Sequence, residues 1–477
     1  MSTTVTTARG PVRGERRADG SLRFLGIPYA QPPVGDLRFA APVPPEPWTE
    51  PLDATAYGPT AQRRPFGEVV IIPEPTIPGE GVLNLNVFTP DADPEARLPV
   101  LVWIHGGGYV AGSAASPWYD GAAFNRDGVV VVSLGYRLGI EGFLHLEDAP
   151  DNRGVRDWIA ALEWVRDNIA AFGGDPAKVT IAGQSAGGGA VQTLLAVPSA
   201  RDLFRGAISV SGAVLRPDGP AVARAASRLL TARTGVPATA AALRDLSDDE
   251  ILELQDRLAE EGPDREGLPP MLALAPFADG ELIPVPALEA LTTGAGDDVP
   301  LMLGFTEHEF TMIPAPEGLP VPLVLGGLGL DEAGIDAFTT AYAEGGEALL
   351  FGQALTDSIF RAPNLAVADA RAAREQPTWL YEFAWRSPVM GIAFHCLDLP
   401  FAFDVLDSEG VAPSAGDAPP RALADAMHRA WVAFVTDQDP GADWPRYTTD
   451  RRATMIWDTE PRIAEDPLSG VRAIWAD

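Results

Sequence analysis

One cysteine, one lysine and five histidines in 477 residues exclude several chemistries before any motif is read. A lone thiol, Cys396, can neither close an intramolecular disulfide nor build a cysteine-rich zinc site, and it fits a reducing, cytoplasmic compartment. Lys178 is the single lysine, so nearly all positive charge is arginine, a compositional bias from which no mechanism follows. Positive charge is itself scarce: 35 Lys and Arg stand against 66 Asp and Glu. The net charge of −31 repels nucleic acid, anionic membranes and polyanionic substrates. No run of about 18 uncharged apolar residues is present, and the first residues, MSTTVTTARG, lack the basic start and apolar centre of a signal peptide. Repeats and linkers are missing too, and an apolar content of 46% suffices for one large core, so residues 1–477 read as a single domain.

Apolar runs at 85–88, 100–104, 129–134, 179–182, 207–210, 301–305 and 379–385 predict strands. The pattern over 155–171 predicts a helix with Trp158, Leu162, Val165 and Ile169 on one stripe. Strands separated by helix-length connections imply the α/β class, with a mostly parallel central sheet and helices on both faces. Ligands then bind beyond the carboxyl ends of the strands. Two helix-rich segments, near 222–261 and 328–357, break the alternation and are expected to be cap insertions, where substrate specificity would lie.

The most informative stretch is 172–187, FGGDPAKVTIAGQSAG, in which a β-branched run enters Gly183, Gln184, Ser185, Ala186 and Gly187, followed by the helix-forming residues 187–197. A serine on so sharp a strand-to-helix turn presents its hydroxyl outward, and residues two positions to either side must be glycine or very small. The N–H of Ala186 then lies at a helix start, where partial positive charge favours an oxyanion.

A second glycine loop follows the strand at 100–104: His105, Gly106, Gly107, Gly108, Tyr109. It admits two chemistries. The N–H groups of Gly107 and Gly108 can join Ala186 in an oxyanion hole. Alternatively Gly106, Gly108 and Ala111 spell a dinucleotide-binding GxGxxA, with Asp127 near the position of a ribose-binding acid. The second reading requires a helix after the loop, whereas SAASPWYDG follows, broken by Pro117 and Gly121.

A serine nucleophile needs a histidine base and an acid to orient it. His105 belongs to the glycine loop, His145 lies in an early loop, and His308 shares a turn with the candidate acids. His428 falls on the flank of a helical stripe through Leu423, Met427, Ala430, Trp431 and Phe434 and is expected to be solvated. His395, in the loop VMGIAFHCLDLPF after the strand at 379–385, stands where a base should be. For the acid, GFTEHEF (304–310) offers Glu307 and Glu309, between which residue chemistry does not choose. With Glu309 the order is Ser185, Glu309, His395, that of an α/β-hydrolase.

These motifs belong to a longer series: FLGIPYAQPPVGDLRF (24–39), LNVFTP (85–90), HGGGY, VVSLGYRLGIEGFL (131–144) and ALEWVRDNIAAFGGDP before the serine turn. On them the chain resembles, over nearly its whole length, a type-B carboxylesterase, the family of cholinesterases and bacterial para-nitrobenzyl esterases. The resemblance implies Ser185 as nucleophile, His395 as base, Glu309 as acid (five residues after Gly304), Gly107, Gly108 and Ala186 as oxyanion donors, and Ser211 as a hydrogen-bond donor to the acid. One departure stands out. Val82 in EGVLNLNV occupies the place of a cysteine that relatives commonly carry, so the usual gorge-loop disulfide is absent. The preceding segment, 62–81, is short and proline-rich, and cholinesterase-like specificity is not assumed.

The expectation is therefore a serine carboxylesterase acting on small to medium carboxylic esters through an acyl-enzyme, as a monomer or small homo-oligomer, with no metal or organic cofactor and no nucleic-acid or membrane partner. Amide, carbamate or lactone hydrolysis by the same triad, and a non-catalytic binding relative, are the alternatives. Activity should fall below about pH 6 to 7 as the histidine protonates. Cys396 reads as a small packed hydrophobe with no catalytic role.

Overall fold

The computed structural model describes residues 2–65, 70–213, 218–260, 262, 265, 268, 274–316, 318–343 and 346–475. Its strands are β1 (Ser2–Thr6), β2 (Pro11–Arg16), β3 (Leu22–Pro28), β4 (Leu52–Asp53), β5 (Asn84–Thr89), β6 (Leu98–Ile104), β7 (Val130–Leu134), β8 (Gly174–Gln184), β9 (Gly206–Val210), β10 (Leu301–Thr306), β11 (Thr378–Phe383), β12 (Ala453–Trp457) and β13 (Arg462–Glu465). They form one sheet ordered β1-β2-β3-β5-β7-β6-β8-β9-β10-β11-β12-β13, with β4 on β2. From β7 to β12 all neighbours are parallel. The strands added outside that run on the main path are antiparallel.

Every apolar run read as a strand falls on one, although β7 begins at Val130, one residue after the expected start, and β11 stops at Phe383, two residues short of the expected end. The sequence pattern missed β1 to β4, β12 and β13. The first strands are polar (STTVT, PVRGER) because they form the edge of the sheet, and β12 (ATMIW) is a short run behind a charged turn.

The helices that frame the site are α1 (Arg153–Asn168), α2 (Ala186–Ala196), α3 (Pro220–Thr234), α4 (Asp248–Ala259), α5 (Val321–Gly327), α6 (Glu332–Ala341), α7 (Glu347–Leu355) and α8 (Arg421–Asp437). Strand alternation divides the core between the two faces of the sheet. Val100, Val102 and Ile104 of β6 pack in one cluster with Trp158 and Leu162 of α1 and Leu194 of α2. Leu101 and Trp103 of the same strand pack in the other with Met427, Trp431 and Phe434 of α8. α3 and α4 fall between β9 and β10, and α5 to α7 between β10 and β11. The segments near 222–261 and 328–357 that break the alternation fall within these stretches; residues 261, 344 and 345 of them lie outside the described residues.

One expectation fails here. His428 is not solvated: it is 2% exposed, its Nδ1 2.8 Å from the Ala402 carbonyl oxygen and its Nε2 3.1 Å from Asp127 Oδ2. Helix flank alone did not determine burial, because the segment around Ala402 and the end of the Ala122–Arg126 helix pack over that flank. The dinucleotide reading falls with it. Asp127 is held by His428 and Arg126, and the glycine loop leads to a three-residue 3-10 turn (Pro117–Tyr119) in place of a phosphate-binding helix.

Candidate active site

β8 enters the turn at Ser185 and α2 leaves it at Ala186. Ser185 has φ 57° and ψ −120°, a conformation costly for any residue with a Cβ. The neighbouring glycines make it possible. A Cβ on Gly183 would lie 2.3 Å from the carbonyl oxygen of Gly187, and one on Gly187 would lie 2.0 Å from that of Ile104. Both obstacles are backbone, so no rotamer change relieves them.

The acid and base arrive on loops after β10 and β11. Glu309 is 3% exposed and has a left-handed φ of 34°. Its Oε1 accepts from the Ser211 hydroxyl at 2.7 Å and from the Thr306 N–H at 2.8 Å, and its Oε2 accepts from His395 Nδ1. The Glu309 N–H in turn donates to Thr306 Oγ1 at 3.0 Å. A parallel bridge between Glu309 and Phe394 and the His395 N–H to Glu309 carbonyl bond at 3.2 Å tie the two loops together. Glu307, the other candidate, points elsewhere: its carboxylate pairs with Arg386 at 2.9 Å. Geometry thus separates two glutamates that sequence chemistry could not.

With Nδ1 committed to Glu309, the neutral form of His395 carries its lone pair on Nε2. That atom lies 3.0 Å from Nε2 of Gln184, which also donates to Cys396 Sγ at 3.0 Å. No hydrogen bond joins His395 to the Ser185 hydroxyl among the described residues. The imidazole is flanked by the rings of Phe310 and Phe360, at centroid distances of 4.8 Å and 4.9 Å. Burial opposes its protonation, but Cys396 and Glu309 outweigh burial and hold its pKa well above the ordinary histidine value. Because burial also raises the Cys396 thiol, that group is uncharged near neutrality, and the Glu309 carboxylate is the charge that favours imidazolium.

The glycine loop approaches from β6. Gly107 has φ 111° and Gly108 φ 60°, and a Cβ on Gly107 would meet the backbone of Ala111 at 2.3 Å. Among the described residues the N–H groups of Gly107, Gly108 and Ala186 donate to no protein acceptor. His105 takes no part in proton chemistry here: its Nδ1 lies 2.8 Å from the Gly106 carbonyl oxygen, and burial lowers its pKa to about 4.

Gly107, Gly108, Ser185, Glu309 and His395 line one cavity of about 940 Å³. Its wall is largely apolar, with Ile71, Ile72, Ile313, Met390 and Ile392 prominent, and α4 contributes Gln255 and Leu258. Of the charged groups on the wall, Glu74 pairs with Arg63 at 3.2 Å, Arg64 with Asp256 at 3.3 Å, and Arg265 donates to the Ala259 carbonyl oxygen at 3.3 Å. Residues 66–69, in the proline-rich segment bordering this wall, lie outside the described residues.

A model of the carboxylesterase family matches residues 1–317 and 347–475. The chain belongs to the carboxylesterase family. It is 37% identical to the para-nitrobenzyl esterase of Bacillus subtilis (strain 168) over 504 aligned positions, covering 98% of this chain and 97% of that protein. It is 34% identical to the liver carboxylesterase of Sus scrofa, covering 95% and 89%. A solved PNB esterase superposes with a TM-score of 0.87 at 34% identity over 100% of both chains. The fold is accordingly that of an α/β-hydrolase, and this carboxylesterase is a carboxylic ester hydrolase. Ester hydrolysis is favoured over the amide, carbamate, lactone and non-catalytic alternatives.

In this carboxylesterase the structure brings Ser185, Glu309, His395, Gly107 and Gly108 to one cavity, with Ser211 against Glu309; Ala186 follows Ser185 as the first residue of α2. Sequence reasoning missed three supports. Thr306 closes the Glu309 turn from three residues away, a T-x-x-E spacing that carries a capping signal. Phe360 belongs to a π-helical turn, Thr356–Arg361, whose Thr356 hydroxyl accepts from the Phe310 N–H at 3.1 Å; no local signal announces it. Gln184 was visible inside the GxSxG motif, but its partners lie more than 200 residues away in sequence. Among the described residues no helix is long and apolar enough to cross a membrane.

Proposed function

We propose that this carboxylesterase hydrolyses neutral, largely apolar carboxylic esters of small to medium size through a Ser185 acyl-enzyme. His395 Nε2 takes the proton of the Ser185 hydroxyl as Oγ bonds to the ester carbonyl carbon. The carbonyl electrons move onto oxygen, which the N–H groups of Gly107, Gly108 and Ala186 receive. The tetrahedral species then expels the alcohol, which takes the proton from His395. Water repeats the sequence on the acyl-serine, returning its proton through the same nitrogen. Glu309 fixes the ring with Nδ1–H toward itself and offsets the imidazolium charge, and Ser211 and Thr306 hold Glu309.

The observation that carries this reading is the chain of contacts from Ser211 through Glu309 to His395, ending on the same cavity wall as the strained Ser185. Substrate class follows from the wall. At about 940 Å³ the cavity is at the upper end of small-molecule sites, its wall is largely apolar, and Glu74, Arg64 and Asp256 on it are paired within the protein, so it offers an anionic or cationic substrate little compensation for lost water. The whole of 1–477 acts as one α/β-hydrolase domain, in which the segments near 222–261 and 328–357 serve as caps and α4 supplies part of the substrate wall. The lone, buried Cys396 supports a reducing, cytoplasmic setting.

Hydrolysis of para-nitrophenyl esters from acetate to decanoate, wild type beside Ser185→Ala, tests this reading. Serine-dependent turnover with a chain-length optimum is expected. Equal turnover in the variant overturns it.

A further inference from the structure

We propose that Gln184 is a positioning residue that keeps His395 in its neutral, Nδ1–H form by donating to Nε2 until the Ser185 hydroxyl takes that place. The inference rests on the proposed roles of Ser185, Glu309 and His395 and concerns how that base is kept available.

Gln184 is 1% exposed and ends β8, paired in register with Val210, immediately before the strained serine. Its side-chain amide stands 3.0 Å from both His395 Nε2 and Cys396 Sγ. The amide orientation follows from the opposite side of the ring. Glu309 already receives the Ser211 hydroxyl and the Thr306 N–H on Oε1, so its Oε2 takes the proton on His395 Nδ1, and in the neutral ring Nε2 accepts. An amide N–H at Nε2 has a partner there only while the ring is neutral; protonation of Nε2 would bring two donors face to face. Hydrogen bonding to a neutral form disfavours the charged one. Gln184 therefore opposes Glu309, whose carboxylate favours imidazolium.

The remaining groups near the ring do not perform this task. Phe310 and Phe360 flank it without titrating. Cys396 is an uncharged thiol, and Asp398, buried with the Tyr381 hydroxyl 2.9 Å from its Oδ2, has its pKa raised to about 7. An ionised Asp398 would add to the pull toward imidazolium. Ser185 is the only other hydroxyl or amide of the motif able to occupy Nε2, and it does so during the reaction.

Gln184→Glu replaces the donor with an isosteric carboxylate that accepts from imidazolium. The acid limb of kcat/KM against pH is expected to move upward by about one pH unit or more, leaving about a tenth of the wild-type rate at a pH one unit below the wild-type limb. Gln184→Met, which removes the donor without adding charge, should move the limb the same way by less. In both, the alkaline plateau should stay within about threefold of wild type. Where Gln184→Glu does not fold, Gln184→Met and the pH dependence of fluorophosphonate labelling of Ser185 provide the same readout. An unmoved limb in the folded variants overturns the role of Gln184 and leaves the triad intact. Hydrolysis that survives Ser185→Ala overturns the triad reading and, with it, this one.

Discussion

The turn after β8 and the loops after β10 and β11 place their groups by different means. Ser185 is fixed by backbone: two glycines whose missing Cβ atoms leave room for the carbonyls of Gly187 and Ile104, and a strand paired on both sides. Glu309 and His395 are fixed mainly by side chains, the hydroxyls of Ser211 and Thr306, the amide of Gln184 and the rings of Phe310 and Phe360, joined by the Thr306 N–H and by the backbone bond between their two loops. Steric exclusion by backbone is rigid and unforgiving. Hydrogen-bonded placement is adjustable, with each contact replaceable at modest cost. The nucleophile is thus the fixed reference of the site, and the acid and base are adjusted toward it.

The comparison is tested most severely at the nucleophile itself. Ser185→Ala should leave the protein folded, with an unchanged melting temperature to within a few degrees, and lower kcat/KM toward para-nitrophenyl esters by about 10³-fold or more. One step smaller is Gly187→Ala. The new Cβ meets the Ile104 carbonyl, so the variant should lose about 2 kcal/mol of stability in urea titration, and activity with it. A fully stable, active Gly187→Ala would show that the turn is not held by backbone exclusion.

That contrast also explains what sequence could disclose. Backbone placement is local, so Gly183, Ser185 and Gly187 declare themselves within five residues. The parallel strands were legible for a related reason: burial on both faces makes each a continuous apolar run, as in β6 and β7. The polar edge strands gave no such run. Side-chain placement is long-range, and Glu309 could be separated from Glu307 only through a family resemblance until its contacts with Ser211 and His395 were visible. His428 failed for the same reason, since its burial depends on Ala402 and Asp127, remote in sequence.

The base is the next place to sharpen the comparison. Because Cys396 and Glu309 together hold the His395 pKa well above the ordinary 6.5 against the effect of burial, the acid limb of kcat/KM should lie above that value, and activity should fall as pH drops through it, by about tenfold per unit. The sign follows from the form required: only neutral His395 accepts the serine proton, and a raised pKa confines that form to higher pH. A limb well below pH 6.5 would mean that Glu309 does not dominate the ring's environment.

The smallest effect belongs to Ser211. Its hydroxyl supplies one of two donors to Glu309 Oε1, and the Thr306 N–H remains when it is removed. Ser211→Ala therefore should lower kcat by about fivefold, roughly 1 kcal/mol, the net worth of one hydrogen bond, with KM nearly unchanged. If Ser211→Ala instead matched Ser185→Ala, the acid would depend on one contact as rigidly as the serine depends on its glycines, and the distinction between backbone-held and side-chain-held halves would not stand.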